Sequence, residues 1–351
     1  MIQGAQDRRL RDQYEQLLRP KRYNETSRIR YEKLRRLVVL KGIPPESIHE
    51  RSTHKTHCSL RGRVWKMLLG VHSVDAQEYI YQVQRTTSVE MTNKIEKDIH
   101  RTFKNNSTYH RRVTDNQLRR VLNAYVNSLE NEIPNEDAPQ PNEEQEGKRR
   151  RRKRTPKSSS ETNSTGTKKS GLYVQGMNVL AAPFLYVMNE LDAYACLCRL
   201  LNHHCPQYVT KNLHGAHQAA HLLEKILHCI DPELSTHITT IFHGDWGSLT
   251  SLPTLLSLSA DKPSQLPELL QLWDVLFALG VHMNVVFVAA HMIGMRDVLL
   301  HGDQGLVQSK LMVHKDIPPM DANVIVSLGL HIVRKLPEEL YSRLEEHPYC
   351  E

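Results

Sequence analysis

Two short segments, far apart in the chain, combine residue types that could hold or position a ligand. The first reads Ile95-x-x-Asp98-x-x-Arg101-Thr102, and the Ile95/Ile99 spacing predicts a helix on which Asp98 and Arg101 share one face. A carboxylate one turn before an arginine can fix the direction of the guanidinium while leaving some of its five donors for a ligand. The same spacing is also that of an ordinary solvated ion pair, so this segment alone is weak evidence for a site.

The second segment is the run Tyr173-Val174-Gln175-Gly176-Met177-Asn178. Gly176 permits close backbone approach, and the neutral amide of Gln175 can both donate and accept hydrogen bonds, which suits the positioning of a water molecule. A glutamine near the end of a loop is more often simply solvated. The number of specified residues nevertheless makes a chance match rarer here than for the first segment.

Two further runs complete a pattern of four segments: LRGRVWKMLLG from Leu60 to Gly70, and LWDVLF from Leu272 to Phe277. In this order along a helical chain, the four segments resemble the TBC domain, a family of GTPase-activating proteins (GAPs) for small GTPases, mostly Rabs. The resemblance covers residues 27 to 345. Lys104 departs from it, because many family members have proline there.

The resemblance implies a role for each segment. The arginine of the first segment and the glutamine of the second are, in that family, fingers inserted into the nucleotide site of the partner, which makes Arg101 and Gln175 the expected catalytic residues. The resemblance also implies that Asp98 orients Arg101. The residues expected to support the site are Asp98, Thr102, Tyr173, Gly176 and Asn178. Packing roles are expected for Arg61, Trp65, Trp273 and Asp274.

Some runs are similar to one subfamily in particular, the fungal mitotic-exit and septation checkpoint GAPs. These runs are Tyr173 to Tyr186, Lys211 to Gly215, Ile230 to Pro232, and Leu272 to Asn284. The likeness implies a catalytic subunit that works with a separate scaffold subunit at spindle pole bodies. It also implies no cofactor of its own, since GTP and Mg²⁺ are carried by the partner GTPase. The alternative is a TBC-fold scaffold that binds a small GTPase without catalysis.

The elements that must position these residues are predicted to be helices, because apolar residues recur at spacings of three and four. The predicted fold is all-α: an amino-terminal tail over residues 1–26, then two helical halves over about 27–190 and 191–345. Glycine or proline marks the end of most predicted helices. The predicted helices are 27–42, 215–230, 268–278, 285–295 and 324–336.

Residues 131–170 interrupt this pattern, with acidic, then basic, then Ser/Thr-rich composition and almost no large apolar side chains. Such a segment cannot bury enough surface to offset its ordering entropy, so it is interpreted as a disordered insertion. Its basic run, which accounts for the whole net charge of +7, is Lys148, Arg149, Arg150, Arg151, Arg152, Lys153 and Arg154. This run is open to three readings: a nuclear localisation signal, an RNA or membrane contact, or a solvated linker. Because the rest of the chain is charge-neutral, a broad nucleic-acid-binding face is not expected.

Several other classes are excluded by the sequence. The most apolar stretch, Val275 to Met295, contains His282, Asn284 and His291, so no transmembrane segment is expected. No secretory signal and no paired cysteine framework are present, which predicts a cytoplasmic protein, with nuclear entry through the basic run as the alternative. The sequence has no phosphate-binding G-x-x-x-x-G-K-[ST] loop, and no metal site is expected, because Gln218 stands where the His217/His221 pair of a zinc-protease helix would need glutamate.

Overall fold

The computed structural model describes residues 2–19, 27–46, 58–130, 173–261, 266–312 and 321–350. Within these ranges every regular element is helical, which confirms the predicted all-α class. The predicted insertion and its basic run, Lys148 to Arg154, lie outside the described residues.

The helices before the insertion are α1 Ile2–Leu18, α2 Ser27–Lys41, α3 Leu60–Leu69, α4 Ala76–Gln84, α5 Val89–Ile99, α6 Ser107–His110 and α7 Asp115–Glu130. Those that follow it are α8 Met177–Val187, α9 Glu190–Arg199, α10 His214–Ile230, α11 Pro232–Phe242, α12 Trp246–Leu256, α13 Leu266–Leu279, α14 Met283–Gly294, α15 Arg296–His301, α16 Gln304–Met312, α17 Ala322–Val333 and α18 Glu338–Glu346. A π-helical turn, Leu200–His204, and a 3-10 turn, Pro206–Val209, connect α9 to α10. No helix in these ranges combines the length and the apolar character needed to cross a membrane.

The helix-stop signals read from the sequence act where they were expected. Gly42 follows α2 with φ +66°, and Gly280 follows α13 with φ +122°, backbone conformations that favour glycine. The helix expected after Gly215 is α10, and Asp231 at its end also caps α11 by accepting from the backbone N–H of Leu234.

The first residues of the chain are not a separate tail. Helix α1 packs against α2 and α3, and Tyr14 is fully buried, donating its hydroxyl hydrogen to the carbonyl oxygen of Gly42 at 2.7 Å. The carboxylate of Glu15 accepts from both terminal nitrogens of Arg63 on α3. The sequence did not predict this helix because it is largely polar, and a single buried tyrosine in 17 residues gives no clear amphipathic pattern.

The centre of the core is an aromatic cluster between α3, α8 and α13. Trp65, Phe184, Trp273 and Phe277 have ring centroids 5.2–5.8 Å apart, mostly in tilted or edge-to-face arrangements. Buried residues from both predicted halves belong to the same core, and α13 packs on α2 and α3. The division of the domain near residue 190 stays a prediction.

A buried carboxylate sits at the edge of this cluster. Asp274 accepts hydrogen bonds from Trp65 Nε1 at 2.7 Å and from Arg61 Nε at 3.0 Å. Burial raises the pKa of Asp274, whereas the charge of Arg61 and the two hydrogen bonds lower it. Contacts between α3 and α13 are thus made by Arg61, Trp65, Trp273 and Asp274, which form part of the core of the domain.

Replacing Asp274 by alanine should strongly destabilise the fold. The change leaves the Arg61 guanidinium and the Trp65 indole N–H without their acceptor, at a cost of about 3–5 kcal/mol in the free energy of unfolding. Asp274→Asn should cost less, because its amide oxygen still accepts one bond. Chemical denaturation measures both; the exposed Asp12→Ala is the control, expected within about 0.5 kcal/mol of wild type. Equal effects of Asp274→Ala and Asp12→Ala would contradict this account.

Candidate functional site

The first candidate segment lies at the end of α5. Ser88 caps this helix by accepting from the backbone N–H of Met91, and Ile95 and Ile99 are buried on its inner face. The helix ends at Ile99, so Arg101 stands in the following turn rather than on the helix. The Arg101 side chain is exposed, whereas Asp98 is only 7% exposed.

The second candidate segment is the turn that leads into α8. Gln175 is exposed, and Gly176 follows with φ +105°, which a side-chain-bearing residue rarely adopts. A Cβ added at Gly176 would meet only Leu256 Cδ2, at an ordinary 3.8 Å. Glycine is therefore required here by its backbone conformation, and not by the close approach that the sequence suggested.

Hydrogen bonds join the two segments across about 75 positions of sequence. The Tyr173 hydroxyl donates to Asp98 Oδ2 at 2.9 Å, and Asn178 Nδ2 donates to Thr102 Oγ1 at 2.8 Å and to the Asp98 carbonyl oxygen at 3.3 Å. The Thr102 hydroxyl in turn donates to the Asp98 carbonyl oxygen at 2.8 Å. All four residues are buried. Arg101 and Gln175 are thus presented by two neighbouring turns that share one buried polar network.

This network corrects the predicted role of Asp98. Its carboxylate points inward to Tyr173, and the Arg101 guanidinium makes no hydrogen bond or ion pair with any residue that the structure describes. The prediction assumed that the helix continued through Arg101. Because the helix ends at Ile99, the three-residue spacing no longer places Asp98 and Arg101 on one helix face. Burial and the Asp98 charge raise the pKa of Tyr173, so its hydroxyl stays a hydrogen-bond donor.

A second anchor holds the residues that follow Arg101. Arg112 Nη1 donates to the Tyr186 carbonyl oxygen and to Glu46 Oε1, each at 3.1 Å, and its guanidinium lies 4.5 Å from the centre of the Tyr186 ring. Because Asn178 and Tyr186 stand at opposite ends of α8, the stretch from Thr102 to Arg112 is fastened to both ends of one helix. No local pattern pointed to Arg112, because its partners are 66 and 74 positions away.

The turn between these anchors is strained and electropositive. Phe103 has φ +48°, which is unfavourable for a residue with a side chain, and it is held by burial and by an edge-to-face contact with Tyr109 at 5.0 Å. Exposed basic side chains surround Arg101 in sequence: Lys97, Lys104 and Arg111. Such a surface suits an anionic ligand or an acidic partner face.

The comparisons with known proteins point to one family. The model of the Rab-GTPase-TBC domain matches residues 58–131 and 165–300, which leaves out most of the predicted insertion and includes both candidate segments.

Three curated relatives resemble the chain over most of its length. The putative mitotic check point protein BUB2 of Dictyostelium discoideum is 35% identical to this chain, over an alignment that covers 90% of this chain and 74% of that protein. Cell division control protein 16 of Schizosaccharomyces pombe is 34% identical, with 83% and 81% covered. The mitotic check point protein BUB2 of Saccharomyces cerevisiae is 30% identical, with 90% of each chain covered.

Two solved structures share the fold. The Ypt/Rab-GAP domain of Gyp1p superposes with a TM-score of 0.63 at 17% identity, covering 95% of this chain and 99% of that one. The Chlamydomonas flagellar RabGAP TBC domain gives a TM-score of 0.59 at 20% identity, with 93% and 91% covered.

The Tyr173–Asp98 bond can be tested with two matched substitutions. Tyr173→Phe removes a donor from a buried carboxylate and should lower the free energy of unfolding by about 1–3 kcal/mol. Tyr109 is equally buried, but within the described residues its hydroxyl has no hydrogen-bond partner, so Tyr109→Phe should change stability by no more than about 0.5 kcal/mol. Urea denaturation of both variants measures the difference, and equal losses would show that the bond to Asp98 contributes nothing.

Proposed function

The chain belongs to the Rab-GTPase-TBC domain family, and on that premise we propose that it is a GAP that supplies Arg101 and Gln175 in trans to a small Ras- or Rab-like GTPase. The observation that carries the proposal is the pairing of two exposed side chains on turns that the Tyr173–Asp98 and Asn178–Thr102 hydrogen bonds hold together. A pure adaptor has no chemical need for either residue type.

Arg101 acts on charge that develops during hydrolysis. As the bond to the γ-phosphoryl group breaks, negative charge redistributes over the γ- and β-phosphate oxygens, and a guanidinium placed beside them stabilises that state. Because the Arg101 guanidinium has no hydrogen-bonding partner among the described residues, its donors are available to the partner's nucleotide without first breaking an internal ion pair.

Gln175 acts on the attacking water. A carboxamide oxygen accepts from the water while the amide N–H₂ donates to a neighbouring acceptor, so one side chain can fix both the position and the orientation of the nucleophile. The positive φ of Gly176 turns the chain into α8 directly after Gln175, which leaves that side chain at the exposed tip of the turn. GTP and Mg²⁺ are carried by the partner GTPase, and Arg101 and Gln175 act in hydrolysis without a cofactor held by this chain.

Three relatives support the proposed cellular role: two are named as mitotic check point proteins and one as a cell division control protein. We propose that the GTPase controls mitotic exit or septation, and that this chain acts with a separate scaffold subunit at the spindle pole body. Localisation in the cytoplasm is part of the same proposal.

The catalytic assignment predicts a large kinetic effect without a loss of stability. In single-turnover GTP hydrolysis, with the GTPase and any scaffold subunit that co-purify in the presence of aluminium fluoride, Arg101→Ala should slow the stimulated rate by about 10³–10⁵. Gln175→Ala should slow it by about 10²–10³, the cost of losing one preorganised polar group. Neither variant should change the melting temperature, because both side chains are exposed.

Lys104→Ala is the matched control. It removes an exposed positive charge from the same turn as Arg101, so general electrostatic attraction should fall similarly while the chemical step stays within a few-fold of wild type. Equal stimulated rates for wild type, Arg101→Ala and Gln175→Ala would reject the fingers. Binding without stimulation by any of the three would instead favour the alternative, a TBC-fold scaffold.

A further inference from the structure

A group of potential metal ligands lies apart from the candidate fingers, where the middle of α10 meets the start of α12. His221, Glu224 and Asp245 each offer one ligand atom, and these three atoms lie within 4.8 Å of one another. His221 and Glu224 are three residues apart on α10 and therefore share a face, while Asp245 is the residue that caps α12. The local sequence does not indicate the group, because Asp245 lies 21 positions after Glu224, at the start of another helix.

Backbone donors orient the two carboxylates. Glu224 Oε1 accepts from the Gly247 N–H at 2.8 Å, and Glu224 Oε2 lies 3.7 Å from His221 Nδ1. Asp245 Oδ1 accepts from the Ser248 N–H at 3.3 Å. One oxygen of each carboxylate is thus fixed by the first turn of α12, as outer-shell hydrogen bonds fix the ligands of metal sites.

Helix α10 and the start of α12, where the ligands lie, pack closely against each other. A Cβ at Gly247 would lie 2.6 Å from the carbonyl oxygen of Ala220, so α10 and α12 are in backbone contact at this point. Trp246, beside Gly247, is only 1% exposed. A site on packed helices keeps its ligand spacing better than a site on a loop.

The two carboxylates of the group have no lysine or arginine partner among the described residues. Among the residues that the structure describes, neither Glu224 nor Asp245 forms an ion pair with lysine or arginine, and His221 is the sole basic side chain paired with Glu224. Two carboxylates and an imidazole that converge without a lysine or arginine form a donor set that a divalent cation would neutralise.

We propose that His221, Glu224 and Asp245 bind a divalent first-row transition metal, and that Zn²⁺ is the ion that fits best. Imidazole nitrogen with carboxylate oxygen is a common Zn²⁺ ligand set, and three protein ligands leave a fourth tetrahedral position for water. Mg²⁺ and Ca²⁺ prefer all-oxygen sites with more ligands. The bound ion would link α10 to α12 and keep one position open to water.

The geometry also selects between histidines. His217 and His221 form the i, i+4 pair that resembles a zinc-protease helix, but His217 is not part of the converging group. Gln218, which replaces the glutamate of that motif, bonds to the His214 ring at 2.8 Å instead. The site therefore uses one histidine of the pair and takes its carboxylates from Glu224 and Asp245.

The test is calorimetric titration of the full-length chain with ZnCl₂, in a Cys229→Ser/Cys350→Ser background that removes the two exposed thiols. One-to-one binding is expected, with a dissociation constant in the micromolar range. At a free Zn²⁺ concentration about 100 times that constant, the melting temperature should rise by about 5 °C. Bound Co²⁺ should show the intense visible absorption bands of a tetrahedral site.

Four variants in that background locate the ligands. His221→Ala, Glu224→Gln and Asp245→Asn should each weaken Zn²⁺ binding by at least about 10-fold, since loss of even an outer-shell partner costs that much. Glutamine and asparagine keep the acceptors for the Gly247 and Ser248 N–H groups, so melting temperatures without metal should stay close to that of the background. His217→Ala, one turn away, should bind Zn²⁺ normally.

Three results would overturn the site. They are the absence of saturable binding below millimolar Zn²⁺, binding that persists unchanged in His221→Ala, Glu224→Gln and Asp245→Asn, and binding that depends on His217 but not on Asp245. The last result would assign the metal to the i, i+4 histidine pair. None of these measurements depends on GTP hydrolysis, so the outcome is independent of the proposed GAP activity.

Discussion

The buried carboxylate of Asp98 is the constraint on which the candidate site depends. An ionised group taken out of water is costly unless hydrogen-bond donors replace the water, and here the donor is the hydroxyl of Tyr173. The carbonyl oxygen of the same residue accepts from the backbone N–H of Arg101, the Thr102 hydroxyl and the Asn178 amide. Asp98 therefore lies in the last turn of α5, accepts hydrogen bonds from the turn that bears Arg101, and joins this turn to the segment that bears Gln175.

Asp274 is a second buried carboxylate that accepts hydrogen bonds from a distant helix, here in the core of the domain. It too is a buried acid whose donors come from a distant helix, since Arg61 and Trp65 lie more than 200 positions earlier. Both acids join a segment before the insertion to a segment after it. A buried polar group allows few arrangements of its neighbours, because a shifted helix would leave the group without its hydrogen-bond partner. In this chain, Asp98 and Asp274 therefore specify how their helices align more strictly than apolar packing alone would.

The two proposed finger residues, Arg101 and Gln175, stand outside both networks. The hydrogen bonds of this region join the neighbours of Arg101 and Gln175, namely Asp98, Thr102, Tyr173 and Asn178. The side chains of Arg101 and Gln175 themselves are exposed. A fixed backbone with free side-chain donors lowers the entropy that must be lost on docking and requires no internal bond to break first. The Arg112 anchor extends the same arrangement, because it fastens the far end of the turn to Tyr186.

The sequence by itself determined the all-α class, several of the helices with their stop signals at Gly42 and Gly280, and the residue types of the two candidate fingers. These are local properties, read from spacings of three and four and from short motifs. The tertiary structure decided which groups meet: Asp98 with Tyr173 instead of Arg101, Arg112 with Glu46 and Tyr186, α1 with the core, and Glu224 with Asp245. No local pattern encodes such contacts, because a side chain's partner across many positions of sequence is selected by how the helices pack, and the point where a helix ends decides which way the next side chain faces.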